Sequence, residues 1–320
     1  MSSVLEPKNL SDLLPWDKLI QALDDIFRKD VCCPIRHHHE INVPNSDAAT
    51  ILLMPAWIEG EYLGVKQVNV FPGNSKLGKP GLNAQYLLSS AVTGELLARF
   101  DGNIITARRT AAAAALGAHY LSRENSETLL ILGAGRIARN VVPAIMSVRN
   151  IKHVAIWNPT AANGHEFVNE LHALDISAEY VAADQLETAV KKADIISCAT
   201  LSKTPLILGS WVQPGTHVDL IGSFTPSMRE ADDQLMQKAA IYADFKAAAL
   251  YETGDFITPI KNGSITEAAV LGDFITLSRN QKVGRAALGI QPDAITVFKA
   301  VGSSIEDLAA ATLAYNQIKV

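Results

Sequence analysis

The stretch Thr128-Leu-Leu-Ile-Leu132 runs without interruption into Gly133-Ala134-Gly135-Arg136-Ile137-Ala138 and then into a helix-patterned segment. An apolar strand that meets two glycines in this spacing has few options beyond a tight strand-to-helix turn. Gly133 permits the turn, Gly135 leaves room for a pyrophosphate against the backbone, and Ala138 lets the helix pack close to the strand. The open N–H groups of the new helix then face negative charge. The motif is weak in isolation and gains weight from its setting between a strand and a helix.

The pattern that follows extends the argument. Strand-like runs at Thr128–Leu132, His153–Trp157, Ala178–Val181, Asp194–Ala199, His217–Ile221 and Ala240–Tyr242 alternate with helical patterns at Arg136–Val148, Ala161–Leu174 and Ala183–Val190. Alternation of this kind predicts βαβ units and a parallel sheet covered by helices. The second strand ends in Trp157-Asn158-Pro159-Thr160, where an NAD-specific site usually carries an acid for the ribose 2′-OH. Asn158 is neutral and Arg136 stands beside the second glycine. The charge balance therefore favours NADPH, with NADH as the alternative.

Upstream of this region the pattern is different. A helix over Ser11–Arg28 precedes short strand-like runs at Thr50–Met54, Tyr62–Phe71, Gln85–Ala91 and Glu95–Phe100. Thr93-Gly94 and Asp101-Gly102-Asn103 read as hairpin turns, so these strands are expected to be antiparallel. Thr106–Leu121 is an alanine-rich helix by propensity. At the other end, Ala294–Lys299 and Ser303–Asn316 read as a strand and an amphipathic helix.

With 48% hydrophobic and 19% charged residues in 320, the chain can build a large core. A net charge of −5 with interspersed signs gives no nucleic-acid or membrane-surface patch. The N-terminus lacks a basic segment followed by an apolar one, and no apolar run is long enough to span a bilayer. Three cysteines do not make a disulfide framework. A cytoplasmic location is the expectation. GSFTP and GSSIE lack the nucleophile elbow of a serine hydrolase.

Outside the nucleotide-binding stretch, cations are the candidates for a substrate anion. Lys66 shares a strand face with Val68 and Val70, so its ammonium either snorkels to water or meets a negative partner. Arg108-Arg109-Thr110 at the start of a helix opposes the macrodipole and makes sense if an anion binds there. Arg36 stands before His37-His38-His39. Three consecutive histidines on a strand alternate in direction, which argues against a metal site.

These residues together resemble the ornithine cyclodeaminase/μ-crystallin family. The likeness rests on Lys66, Asp101-Gly-Asn-Ile-Ile-Thr-Ala-Arg-Arg-Thr-Ala-Ala, Leu132-Gly-Ala-Gly135, Trp157-Asn158, Trp211-Val-Gln-Pro-Gly-Thr-His and Thr296-Val-Phe-Lys-Ala-Val-Gly302. The resemblance implies an α/β fold in which a Rossmann-type NAD(P)-binding domain (residues 120–293) is joined to an α+β substrate and dimerisation domain built from both chain ends (1–119 and 294–320). It implies a homodimer. Arg36, Lys66 and Arg109 would be the catalytic and carboxylate-holding residues, with Met54, Phe224 and Ser303 beside the substrate. Thr110, Gly133, Ala134, Gly135, Arg136 and Ile137 would serve the cofactor phosphates, and Asn158 and Thr160 the adenosine ribose. Thr200, Leu201, Ser223 and Gly302 would lie along the nicotinamide.

Departures from the family pattern narrow the reading. Cyclodeaminases carry a glutamate where Leu52 stands and an aspartate where Phe224 stands. Without those carboxylates nothing is left to hold a second ammonium, and an apolar Phe224 suits a ring. The loop Gly222-Ser-Phe-Thr-Pro-Ser-Met-Arg-Glu-Ala-Asp resembles the branch that reduces Δ1-pyrroline-2-carboxylate, often with Δ1-piperideine-2-carboxylate, to L-proline and L-pipecolate. A glutamine common after the glycine turn is replaced by Ile137. The competing readings are an ornithine cyclodeaminase, an alanine dehydrogenase, and a non-catalytic NADPH or small-ligand binder of the μ-crystallin kind.

Overall fold

The computed structural model describes residues 5–280 and 284–319; the first four residues, part of the segment read above for a leader, lie outside them. Two compact units are present, Met1–Arg109 with Ser303–Val320, and Thr110–Gly302.

The first unit begins with helix α1 (Trp16–Arg28), preceded by a single 3-10 turn at Leu10–Leu13. Pro15 separates the two, so the single helix expected from Ser11 starts at Trp16. Leu19, Leu23 and Phe27 recur at helical spacing and are buried, each contributing roughly 1.5–3 kcal/mol on full burial. Strands β1 (His37–Ile41), β2 (Ala49–Trp57), β3 (Tyr62–Val70), β4 (Leu82–Ser90) and β5 (Leu96–Asp101) form an antiparallel sheet in sequential order. Thr93-Gly94 does make the β4–β5 hairpin, with Gly94 at φ +75°.

Asp101-Gly102-Asn103 is not a hairpin turn. Helix α2 (Gly102–Leu121) starts there, and Asp101 Oδ1 accepts from the backbone N–H groups of Asn103 at 2.7 Å and Ile104 at 3.2 Å. An aspartate before a helix is a strong N-cap, and the turn reading overlooked it. A Cβ on Gly102 would come within 2.7 Å of the Ala84 backbone, so only glycine lets the helix start this close to β4.

The second unit holds β6 (Thr128–Leu132), α3 (Arg136–Met146), β7 (His153–Trp157), α4 (Ala161–His172), β8 (Ala178–Val181), α5 (Leu186–Lys192), β9 (Ile195–Cys198) and β10 (His217–Leu220). Then follow α6 (Asp233–Lys238), β11 (Ala240–Ala243), α7 (Lys246–Glu252), α8 (Gly254–Lys261), β12 (Val270–Asp273), α9 (Phe274–Arg279) and β13 (Thr296–Lys299). The eight strands form one parallel sheet in the order β12-β11-β13-β10-β9-β6-β7-β8. Sequence order reverses between β6 and β9, the place where doubly wound sheets bind ligands at the carboxyl ends of their strands.

One expected boundary needs correction. Residues 294–302 were expected to join the domain formed by the chain ends. Instead β13 pairs with β10 on one side and β11 on the other, so it is an interior strand of the parallel sheet. Phe298 of this strand packs against Gly117, where a Cβ would lie 2.7 Å from its ring. The expected boundary at 119/120 likewise falls at 109/110.

After β13 the chain returns to the first unit as helix α10 (Ser304–Ile318), which packs on α1 and on β2, β3 and β4. Ser303 caps it through Glu306 N, an S-x-x-E capping box.

Candidate active site

In the first unit, strand alternation places Gly64, Lys66 and Val68 on the buried face of β3. Lys66 pairs in register with Met54 on β2 and Tyr86 on β4, all three buried. Of the two options for its ammonium, the structure takes the partner. Nζ lies 2.7 Å from Asp307 Oδ2 and 2.9 Å from Oδ1, and donates to Thr106 Oγ1 at 3.3 Å. Arg109 donates from Nε to Asp307 Oδ1 at 3.0 Å and from Nη1 to Glu306 Oε2 at 2.7 Å.

Both acids sit in the first turn of α10, where the helix dipole favours negative charge. Burial pushes the Lys66 ammonium down to about 8; Asp307 opposes the shift, while the charges of Arg109 and Arg36 reinforce it. Burial works against ionisation of Asp307, yet Lys66 and Arg109 together hold its carboxyl below the ordinary range. Arg36, half-buried just before β1, is thus close enough to act on Lys66. The Tyr86 hydroxyl is buried without a hydrogen-bond partner, and burial with the Asp307 charge pushes its pKa well up.

The structure brings Lys66 and Arg109 together on a shared pair of acids. Lys66, Arg109, Asp307 and Glu306 sum to zero charge, and the charge of Arg36 also acts on Lys66. Arg108 has another role: its guanidinium lies 3.5 Å above the Trp16 ring and donates to the Leu14 carbonyl, tying α2 to α1. Arg108-Arg109-Thr110 also lies well inside α2 and not at its N-terminus, because the helix begins at Gly102. Ser303 is engaged as the cap of α10.

Asp307 and Glu306 were missed by sequence reasoning. The capping box Ser303-Ser304-Ile305-Glu306 was the available signal, since it places an acid pair at a helix start. Their long-range partner on β3 had none.

On β1, His37 and His39 face one way, with ring centroids 6.4 Å apart and planes near perpendicular. Among the described residues no group of three or more His, Cys, Asp or Glu is placed to hold a metal ion.

In the second unit, the glycine turn has the form the sequence required. Gly133 adopts φ +115°, and a Cβ there would approach Ala199 O to 2.7 Å, so the turn presses on the end of β9. A Cβ on Gly135 would meet open space, and α3 has no side-chain N-cap. Ala134 and Ile137 are partly buried and Arg136 is exposed. This uncapped N-terminus above the strand ends fits a pyrophosphate. Asn158, half-buried at the end of β7, donates from Nδ2 to Thr160 O at 2.9 Å. Thr110 is buried.

Around the ends of β9 and β10 the structure adds an ionic network that sequence reasoning did not find. Glu230, fully buried, accepts at Oε1 from Thr200 N at 2.8 Å and Thr200 Oγ1 at 2.9 Å, and at Oε2 from Gly222 N at 2.7 Å. Glu230 N donates to Asp255 Oδ1 at 2.8 Å, and Asp255 Oδ2 lies 3.2 Å from Lys299 Nζ. Burial pushes the Glu230 carboxyl up to about 7, against the pull of Lys299. Ser223 uses its hydroxyl internally, on Met228 O and Thr253 Oγ1. Gly302 N donates to Asp244 Oδ2, and Gly302 has φ +79°. Leu201 and Phe224 are exposed, at 69% and 47%, large apolar surfaces free to meet a ligand.

The Ornithine cyclodeaminase/mu-crystallin family matches residues 3–320. An uncharacterised protein of Schizosaccharomyces pombe is 50% identical over 318 residues, 97% of this chain and 96% of that one. A Δ1-pyrroline-2-carboxylate reductase of Paracoccus denitrificans is 40% identical over 260 residues, covering 81% of this chain and 80% of that one. Among solved structures, Δ1-pyrroline-2-carboxylate reductase of Thermococcus litoralis in complex with NADH and L-proline superposes with TM-score 0.89 at 32% identity, covering 99% of this chain and 98% of the other.

Proposed function

Because the chain belongs to the ornithine cyclodeaminase/μ-crystallin family, we propose that it is an NAD(P)H-dependent reductase of the C=N bond of a small cyclic imino acid. The substrate is Δ1-pyrroline-2-carboxylate, Δ1-piperideine-2-carboxylate or both, and the product L-proline or L-pipecolate. The observation that carries this reading is the buried Lys66–Asp307–Arg109 cluster with the added charge of Arg36.

When bound, the reduced nicotinamide supplies a hydride to the imine carbon. The protein's part is orientation and proton supply. Arg36 and Arg109 hold the carboxylate, Arg guanidinium being suited to a two-point contact. Lys66 holds a proton at Nζ for the imine nitrogen, and Asp307 keeps that ammonium charged despite its burial. Met54 and Ser303 border the substrate, and Phe224 offers an apolar ring where a cyclodeaminase would need an acid.

The Gly133–Ile137 turn and Thr110 take the phosphates, Asn158 and Thr160 the adenosine ribose, and Thr200, Leu201, Ser223 and Gly302 the nicotinamide end. Neutral Asn158 and exposed Arg136 favour NADPH over NADH. The enzyme works in the cytoplasm; among the described residues no helix is long and apolar enough to cross a membrane. It acts as a homodimer through the outer face of the antiparallel sheet, where Leu53, Trp57, Leu63 and Val65 are only half-buried and Leu87 is 39% exposed, an apolar set suited to a second copy.

Initial rates at 340 nm, with NADPH and NADH against both cyclic imines, test the reading; turnover with an imine supports it. Ammonia released from ornithine without net change in NADH would make the chain a cyclodeaminase. NADH oxidation that needs pyruvate and ammonia would make it an alanine dehydrogenase. Tight cofactor binding without turnover would leave a binding protein.

A further inference from the structure

The acid that ties together the loops after β9 and β10 has no place in the chemistry above. Ionised carboxylates are costly to bury, and an apolar replacement of similar shape is often as stable. Glu230 is nevertheless fully buried. Its two oxygens collect three donors from two separate loops, Thr200 N and Oγ1 after β9 and Gly222 N after β10.

The two loops are in direct contact. A Cβ on Gly222 would lie 1.7 Å from Thr200 O and 2.6 Å from Glu230 Oε1, so their separation is set by a glycine and locked by the carboxylate. Behind Glu230, Asp255 holds its backbone N–H and is itself faced by Lys299 from β13. The backbone oxygen of Glu230 accepts from Leu206 N and Ile207 N, which fixes the segment from the other side.

We propose that Glu230 is a positioning residue that sets the spacing of the Thr200 and Gly222 loops, and through them the seat of the nicotinamide half of the dinucleotide. This deepens the reading above, since it rests on a dinucleotide lying at the carboxyl ends of β9 and β10. The chemistry requires an acceptor at both oxygens. A glutamine can accept from Thr200, but its Nε2 would then present hydrogens to the Gly222 N–H, so one loop would be released and the other kept.

The test compares two probes on the intact protein: NADPH, and ADP-ribose phosphorylated at the same 2′ position, which lacks the nicotinamide. Titrations followed by tryptophan fluorescence give both affinities for the wild type and for Glu230→Gln. The expected result is a loss of tenfold or more in NADPH affinity with the ADP-ribose probe within twofold of wild type. In turnover, kcat falls at least tenfold while KM for the imine stays within threefold.

Equal weakening of both probes, or of neither, overturns the proposal. If Glu230→Gln does not fold, Thr200→Val decides: it deletes the 2.9 Å hydroxyl contact to Glu230, together with the longer 3.3 Å bond from Ser202 N, and is expected to weaken NADPH three- to tenfold, again without effect on the fragment. An unchanged NADPH affinity in Thr200→Val would then count against the idea. A wild type that binds both probes but reduces no imine would sink the reductase reading and leave this binding comparison intact.

Discussion

Asp307→Asn removes a negative charge from between Lys66 and Arg109 while keeping the side chain's shape. Asp307 is what opposes the burial of the Lys66 ammonium, whose pKa is held at about 8. At the observed 2.7 Å, Coulomb attraction at an effective dielectric of about 20 amounts to about 6 kcal/mol. That equals about four and a half pKa units at most, and the asparagine oxygen recovers part of it by still accepting from Nζ. A fall of two units or more is expected, to about 6 or below. In the proposed role of Lys66 the protonated form serves the imine, so kcat/KM is present below this pKa and is lost as pH rises through it. At pH 7.5 the protonated fraction drops from about three-quarters to about 3%, so kcat/KM falls about 25-fold.

The assay is the pH profile of kcat/KM from pH 5.5 to 9.5, with the thermal midpoint recorded for each protein. The variant's alkaline limb should move acidward, with activity partly restored near pH 5.5. A limb that stays near 8 with reduced height would refute the argument, because it would show that Asp307 does not govern the proton at Lys66.

Three further outcomes follow from the geometry. Lys66→Met should lower kcat/KM by roughly 10²–10⁴-fold while NADPH affinity holds; unchanged turnover removes Lys66 from the site. Gly133→Ala forces a side chain into φ +115° with a Cβ 2.7 Å from Ala199 O. It should cost roughly 1–3 kcal/mol in denaturant melts and abolish dinucleotide binding, and a wild-type Kd would contradict the proposed phosphate seat. Arg149 donates to the carbonyls of Ala118, His119, Ser122, Arg123 and Val148 and so closes the end of α2. Arg149→Ala takes this donor from all five carbonyls, of which Ala118 O keeps Ser122 and Arg123 O keeps Ser126 N, and should destabilise the protein by roughly 3 kcal/mol, read from urea unfolding midpoints.

Much of the parallel sheet was legible because its cause is local. β6, β7 and β9 are short, largely apolar runs, and the turn at Gly133 announces itself in sequence. Lys66 was legible for a related reason: period-two alternation put a charge in an apolar row, which demands a partner. What alternation could not supply was the identity of that partner, since Asp307 lies 241 residues away. The start of α2 was misread because Asp-Gly-Asn serves equally as a turn and as an N-cap; only the chain after it decides. The place of β13 was hidden for a topological reason. A strand carries no mark of which neighbours it will have, and proximity in sequence pointed toward α10. Glu230 had no signal at all, being one acid in a loop until three donors converge on it.

The position of β13 also bears on how the molecule is made. A ribosome delivers β10 and β11 long before Thr296–Lys299, the strand that must slot between them. Until then the nascent sheet is split, with two unpaired edges facing a gap one strand wide. The parallel sheet therefore cannot reach its final form until β13 has been made. Only Thr296–Lys299 closes the sheet, and a chain truncated before Thr296 keeps both edges open.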